Sequence, residues 1–260
     1  MKKAVLQLCL SIAFTVSMAI AGAAQESSSE AADQKRTALG YNAEAVKQMN
    51  QGKHDAAVEL LRRAIRLRPD FAIAYFNLGT AHYFLNQFAD AITALQQAID
   101  LNATYSEAYN QLGVVFTTEA KYNKAIAAFE RSIAQNPYNS TTHYNLGCTY
   151  IRVENYRAAA LALERALQLE PSHVEALMNL GFAHSRLKRY AEAIKEISQA
   201  VRLKPQDLDA QFFLGTLFVM MKDRQSAFAQ YQLVKSMNPE LGQKLFDEIH
   251  HHKLVIVTRQ

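Results

Sequence analysis

The 260-residue chain is 50% hydrophobic and carries 28 Lys and Arg against 24 Asp and Glu, a formal net charge of +4. Lys2 and Lys3 lie in a predicted signal peptide, and without them the charge is +2. A chain this close to neutrality gives no electrostatic case for binding nucleic acid. It has two cysteines, and because Cys9 lies in the same N-terminal segment, no internal disulfide is expected after its removal.

The N-terminus predicts a secretory signal peptide at residues 1–24. Two lysines precede an apolar stretch from Ala4 to Ala21, and small residues around Gly22 follow as a cleavage site. We expect export to the bacterial periplasm, with only transient membrane contact through the signal. The alternative is an uncleaved signal that anchors the chain to the inner membrane, since the stretch is long enough to span a bilayer. Residues 25–37 are polar and predict a flexible linker.

Glycine and proline recur with one period of 34 residues along the next part of the chain. A fixed period of this length is typical of arrays of stacked helix pairs. The glycines in phase are Gly79, Gly113, Gly147, Gly181 and Gly215, and the prolines are Pro69, Pro137, Pro171, Pro205 and Pro239. The period defines six copies, at 38–71, 72–105, 106–139, 140–173, 174–207 and 208–239.

Each copy predicts two amphipathic helices joined by a short turn. In the second copy, Tyr75, Leu78 and His82 share one face of a first helix, and Ala91 and Leu95 share one face of a second helix. A glycine inside a helix costs about 1 kcal/mol relative to alanine. We therefore expect each repeated glycine to lie where two helices approach closely, opposite Ala91 and its equivalents.

The segment after Pro239 predicts a capping helix followed by a tail. At 240–250, Leu241, Leu245 and Ile249 share one helical face, which would cover the open side of the last repeat. The tail at 251–260 contains the run from Leu254 to Val257, which is short, β-branched and strand-like. Docking on the array, pairing with a partner and disorder stay open as alternatives for this tail.

These motif positions resemble the tetratricopeptide repeat family. The resemblance covers roughly four-fifths of the chain and implies an all-α fold, an α-solenoid in which helix-turn-helix units form a right-handed superhelix with a C-terminal capping helix. The aromatic position of the motif weakens toward the C-terminus. The residues that carry the match are Tyr75, Leu78, Gly79, His82, Ala91 and Leu95, and later Ala125, Phe129 and Pro137.

The histidines and the remaining cysteine fall on packing positions. His82 and His184 replace a packing tyrosine of the family, and His54 and His143 also stand at aromatic positions. Cys148 is a lone thiol on a repeat helix, which favours a buried structural role. No nucleophile, phosphate-binding or zinc motif is present in the sequence. We therefore predict a non-catalytic protein with no cofactor and no metal.

The residue two places before each glycine forms an amide series that the family resemblance places in a concave groove. An amide both donates and accepts, so a row of amides can hold the backbone of an extended peptide without reading its sequence. The series resembles the asparagine ladder in the superhelical arm of O-linked N-acetylglucosamine transferases, although Asn-Leu-Gly is also common consensus in such repeats. The predicted groove residues are Asn77, Gln111, Asn145, Asn179, Tyr83, Phe84, Thr117, Tyr144, Arg152, Phe182, Arg186 and Phe212.

The sequence thus predicts an exported scaffold that binds a protein or peptide segment in the assembly of a cell-envelope complex. Accessory lipoproteins of type IV pilus assembly are similar in size and repeat count, but Cys9 is misplaced for lipid attachment. One alternative is a self-assembling module that uses the C-terminal tail, which would make a homo-oligomer. Another is a substrate-reading arm of an enzyme complex, disfavoured because the 21 residues after Pro239 are too few for a catalytic domain.

Overall fold

The computed structural model describes residues 33–257, and all regular secondary structure within that range is helical. The predicted signal peptide, most of the predicted linker and residues 258–260 lie outside the described residues. The described helices are α1 (33–50), α2 (His54–Leu67), α3 (Ala72–Phe84), α4 (Phe88–Leu101), α5 (Ser106–Thr118), α6 (Tyr122–Gln135), α7 (Ser140–Arg152), α8 (Tyr156–Leu169), α9 (Val174–Arg186), α10 (Tyr190–Leu203), α11 (Leu208–Met220), α12 (Arg224–Met237) and α13 (Pro239–Val257).

The helices form two compact units, one ending at Ala108 and the other beginning at Tyr109. In the first unit, α2 packs on α3 and α3 packs on α4. In the second unit, α7 pairs with α8, α9 with α10 and α11 with α12, and each second helix also contacts the helix that follows it. Consecutive packing of helix pairs is the defining feature of an α-solenoid, so the predicted all-α fold class is confirmed.

Helix α1 includes residues that the sequence assigned to the linker. Residues 33–37 are helical, and the hydroxyl of Thr37 donates to the carbonyl oxygen of Asp33 at 2.9 Å. Ala38 and Ala45 in the same helix are fully buried against Leu61. The polar composition of 33–37 therefore marks the exposed first turns of a helix whose later turns are anchored in a core.

The repeated glycines mark close contacts with large residues of the second helix. A Cβ added at Gly147 would lie 2.6 Å from Cγ of Leu163, and one added at Gly113 would lie 2.6 Å from the ring of Phe129. Ala159 also approaches Gly147, through its carbonyl oxygen at 3.4 Å. The sequence correctly predicted close approach at these glycines, but the side chains that need the space lie four residues beyond the expected alanines.

The turn inside each helix pair places its second residue in the left-handed region. In the copy beginning at Ala38 this residue is Gly52, at φ 75°. The equivalents are not glycine and have φ between 57° and 62°; they are Asn86, Ala120, Glu154, Lys188 and Lys222. Because this region costs an L-residue roughly 1–2 kcal/mol, these turns are held by the packing of the two helices that they join.

Ala120→Gly is therefore expected to stabilise the protein by about 0.5–1 kcal/mol, since glycine adopts this φ freely. The matched control is Ala127→Gly, because Ala127 is exposed in the middle of α6 and glycine there should cost about 1 kcal/mol. Urea denaturation followed by circular dichroism measures both changes. Two substitutions of the same kind should thus change the free energy of unfolding in opposite directions, and equal losses would contradict this account.

Helix α13 covers the last repeat through one apolar face. Leu245 and Ile249 are buried in a cluster with Tyr231 and Val234 of α12, and Leu241 packs against the same cluster. A Cβ added at Gly215 would collide first with Leu245, so α13 takes the place that a second-helix side chain occupies at the earlier glycines. The predicted C-terminal capping helix is confirmed.

The strand-like interpretation of Leu254 to Val257 is wrong, because α13 continues through Val257. The β preference of valine and isoleucine depends strongly on a partner strand. Extending a helix that is already formed requires only one further hydrogen bond per residue. The residues before this run have formed such a helix, so the local preference is overridden.

Candidate functional site

A cleft of about 800 Å³ opens in the second unit, along the first helices α5, α7 and α9. Helices α7 and α9 contact each other directly, so the cleft lies on the face that successive first helices share. We call it the α7 cleft. Its lining residues are Val114, Thr117, Thr118, Phe129, Tyr144, Asn145, Cys148, Thr149, Ile151, Arg152, Glu154, Tyr156, Asn179, Phe182 and Arg186.

The α7 cleft brings together many of the predicted groove residues and leaves the others outside. Those that line it are Thr117, Tyr144, Asn145, Arg152, Asn179, Phe182 and Arg186. Gln111 belongs to the same unit but is not among the lining residues, and Phe212 packs against the cluster around Leu245. Asn77, Tyr83 and Phe84 belong to the first unit.

The amides of the series make hydrogen bonds to the preceding repeat. Asn145 donates through Nδ2 to Oδ1 of Asn110 at 3.2 Å, and in the first unit Asn77 donates in the same way to Asn42 at 2.8 Å. Asn179 donates to Sγ of Cys148 at 3.2 Å. An amide nitrogen carries two N–H groups, so these bonds leave one donor and the carbonyl oxygen of each amide for a ligand. The amides thus connect repeats as well as facing the groove.

Aromatic rings form one wall of the α7 cleft and hold an arginine. The guanidinium of Arg186 lies 4.6 Å from the ring centre of Tyr156 and 5.8 Å from that of Phe182. These two rings meet edge to face at 6.1 Å. Tyr144 stacks on His173 at 4.7 Å. Cation–π contacts and ring packing of this kind restrict the side chains to defined positions.

The hydroxyl and thiol in the α7 cleft are held in their neutral forms. Burial raises the pKa of Tyr144 well above its usual value, and the neighbouring Cys148 adds to this effect. Burial also raises the pKa of the Cys148 thiol, although the positive charge of Arg152 partly opposes the shift. Cys148 is half-buried rather than buried, so the sequence expectation is corrected: its thiol borders a cleft.

Alkylation of Cys148 by iodoacetamide should therefore be slow near neutral pH, because only the thiolate reacts. In a chain carrying Cys9→Ser, the reaction rate is expected to rise with pH around a midpoint above that of a free cysteine peptide. Arg152→Gln should move this midpoint further upward, since it removes a charge that favours the thiolate. A midpoint at or below that of the free peptide would show that the thiol is not desolvated.

The histidines occupy packing positions, as the sequence indicated. His82, His143 and His184 are buried, and His54 stacks on Phe84 at 4.8 Å within the first unit. Nε2 of His143 donates to the carbonyl oxygen of Pro137 at 3.0 Å, and Nδ1 of His184 lies 3.2 Å from a carboxylate oxygen of Glu196. No group of three or more His, Cys, Asp or Glu residues within the described range is arranged to hold a metal ion.

Sequence reasoning missed Tyr156 and Glu154 as cleft residues. Tyr156 begins α8 at a position that the repeat pattern assigns to packing, and it does contact Arg186. Glu154 is the left-handed residue of the preceding turn, which projects it beside the cleft. Neither carries a signal along one helix, because the α7 cleft also takes residues from the turn and from the start of a second helix.

The paired helices and the α7 cleft define a helix-repeat protein with a groove on its first helices. The tetratricopeptide repeat model matches residues 77–140, 144–207 and 183–239, and a second model of the same repeat matches 49–86. The chain therefore belongs to the tetratricopeptide repeat family, whose members generally mediate protein or peptide interactions as non-catalytic scaffolds. No curated protein sequence matches this chain significantly.

Solved structures of similar fold include three bacterial-type repeat proteins. YrrB, described as a TPR protein with an unusual peptide-binding site, is 22% identical with a TM-score of 0.66 and covers 73% of this chain and 99% of its own. Pseudomonas aeruginosa pilF is 16% identical with a TM-score of 0.71, covering 83% and 99%. MamA from Desulfovibrio magneticus RS-1 is 20% identical with a TM-score of 0.59, covering 66% and 97%. These likenesses establish the fold.

Within the described residues, no helix combines the length and the apolar character that crossing a membrane requires.

Proposed function

We propose that this chain is a non-catalytic, exported scaffold that binds an extended peptide or protein segment in the α7 cleft. The observation that carries the proposal is the combination of Asn145 and Asn179 with an aromatic wall in one open cleft. The amides supply hydrogen-bond partners for a peptide backbone, and the rings supply apolar surface for side chains. The neutral thiol and hydroxyl favour binding over nucleophilic chemistry.

Panning a random-peptide display library against the purified chain tests this proposal. We expect selected peptides to bind the wild-type protein and to protect Cys148 from alkylation, because that thiol lines the cleft. The double variant Asn145→Ala/Asn179→Ala should bind them about tenfold more weakly or worse, since each lost hydrogen bond contributes roughly 0.5–1.5 kcal/mol.

The matched control is Asn110→Ala. It removes the same hydrogen bond between repeats as Asn145→Ala does, but Asn110 does not line the cleft. Binding close to that of the wild-type protein is expected for this variant. If the selected peptides leave Cys148 unprotected, or if the double variant binds them as tightly as the wild type, the binding site lies elsewhere.

We further propose that the protein acts in the bacterial periplasm, in the assembly of a cell-envelope complex. The support for this proposal is the charged, apolar and small-residue pattern of the first 24 residues. A reporter enzyme that is active only after export, fused after residue 36, should be active in cells. Substituting Leu10 and Ile12 by Arg interrupts the apolar stretch and should abolish that activity. Equal activity from both fusions would contradict export through this segment.

A further inference from the structure

Two arginines face the α7 cleft without a carboxylate partner. Arg152 and Arg186 both line the cleft, and neither makes an ion pair with any acidic residue within the described range. Other arginines in that range do have such partners, for example Arg189 with Glu192 at 3.0 Å. Five N–H donors on each guanidinium are therefore presented to a space large enough for a ligand.

The repeat architecture does not require arginine at these positions. Arg152 and Arg186 are the last residues of α7 and α9, and the equivalent last residues of the other helices are Phe84, Thr118 and Met220. The negative end of a helix dipole favours a cation, but it does so equally in every repeat. Two consecutive repeats carry arginine here, and both arginines meet in one cleft.

The surroundings of the two arginines favour an anion with an apolar neighbour. Arg186 is held against the rings of Tyr156 and Phe182, so its position is restricted before any ligand arrives. Glu154 is the one acidic residue among those lining the cleft, which leaves a net charge of about +1 at neutral pH from the reference ionisation of these side chains. The aromatic wall beside the guanidinium groups offers a surface for an aromatic or aliphatic side chain.

We propose that Arg152 and Arg186 form a subsite for a carboxylate, carried by a peptide segment next to a large apolar residue. This inference rests on the proposed function and adds the chemistry of the bound segment to it. Arginine binds carboxylates through two parallel N–H···O bonds, and such bonds are stronger than those between neutral groups. The amides Asn145 and Asn179 hold the backbone, and the arginines select the side chain or chain end.

The composition of peptides selected from a random display library tests the subsite. We expect peptides selected by the wild-type protein to be enriched in Asp or Glu adjacent to Phe, Leu or Ile. Peptides selected by Arg152→Gln/Arg186→Gln should lose the acidic enrichment and keep the apolar one. The matched control is Arg131→Gln/Arg202→Gln, which makes the same charge change at exposed sites outside the cleft and should select acidic peptides as the wild type does.

Defined peptides measure the effect and separate its sources. Four labelled probes alternate Phe with Glu, Gln or Lys, with blocked ends, or carry Phe and Gln with a free C-terminal carboxylate. The Glu probe should bind the wild type at least about tenfold more tightly than the Gln probe, and Arg152→Glu/Arg186→Glu should prefer the Lys probe. Tighter binding of the free-carboxylate probe than of the Glu probe would assign the subsite to a chain end.

The outcomes distinguish this inference from the proposed function. If the wild type selects peptides that protect Cys148 but shows no acidic preference, the carboxylate subsite is overturned and the peptide-binding function stands. If it selects no peptide at all, both fail. Thermal unfolding of each arginine variant by circular dichroism is expected to match the wild type, because Arg152 and Arg186 are exposed.

Discussion

Leu245→Ala is expected to lower the free energy of unfolding by about 2–5 kcal/mol, the range for truncating a buried leucine. Leu245 is 0% exposed and fills the space beside Gly215, between α13 and the last helix pair. The lost methyl groups leave a cavity that the glycine cannot fill. The matched control is Leu233→Ala, because Leu233 lies on α12 and is 43% exposed, and its loss should change stability by less than 1 kcal/mol or so.

Hydrogen exchange resolves where this loss occurs. Neighbouring repeats interact mainly with one another, so amide protons of α11, α12 and α13 should exchange faster in Leu245→Ala while those of α2 to α4 change little. Urea denaturation alone can show a broadened transition, since repeat arrays depart from two-state unfolding. Equal acceleration of exchange throughout the described residues would show that α13 stabilises more than the last repeat.

Gly113→Ala is expected to destabilise the protein by about 1–3 kcal/mol, the usual cost of overfilling a packed site. The new Cβ would lie 2.6, 2.7 and 2.8 Å from three ring atoms of Phe129, and this ring is 1% exposed. A rigid buried ring cannot move aside as the end of a flexible chain can, so α5 and α6 must separate.

The control for this variant is Gly40→Ala. Gly40 lies in helix α1 with no atom within 4 Å of a Cβ placed there, so alanine should stabilise the helix by about 1 kcal/mol. Denaturation curves of the two variants should therefore shift in opposite directions. A stabilised Gly113→Ala protein would show that the glycine is not retained for close packing.

The period of the sequence was sufficient to predict the helix pairs, but not the contacts between them. A glycine repeated every 34 residues identifies where helices approach, because few other reasons place glycine inside a helix. It does not identify the partner, which is Leu163 for Gly147 but Leu245 for Gly215. That partner depends on the three-dimensional course of α13, which no local pattern contains.

The left-handed turns were invisible for a related reason. Ala120, Glu154 and Lys188 have positive φ, yet none of these residue types signals a left-handed turn as glycine or asparagine does. The strain is imposed by two packed helices, so it is a property of the pair rather than of the turn. The same holds for Cys148, whose exposure depends on the width of the cleft between α7 and its neighbours.

The candidate site was predictable as a face but not as a cleft. Helical spacing placed Asn145, Asn179, Arg152 and Arg186 on the face shared by first helices, and all four line the α7 cleft. The hydrogen bond from Asn145 to Asn110 spans 35 residues, a separation that appears only once two repeats are stacked. The absence of partners for the arginines likewise depends on every neighbouring carboxylate within the described range.

The hydrogen bond between Asn145 and Asn110 also has a consequence for the entropy of recognition. A free amide side chain loses rotamer freedom when a ligand immobilises it, at a cost of about 0.5–1.5 kcal/mol. Asn145 has already lost that freedom, because its Nδ2 is held by the neighbouring repeat at 3.2 Å. Its carbonyl oxygen and second N–H are thereby oriented in advance. Stacking of the repeats thus preorganises the groove before a peptide arrives.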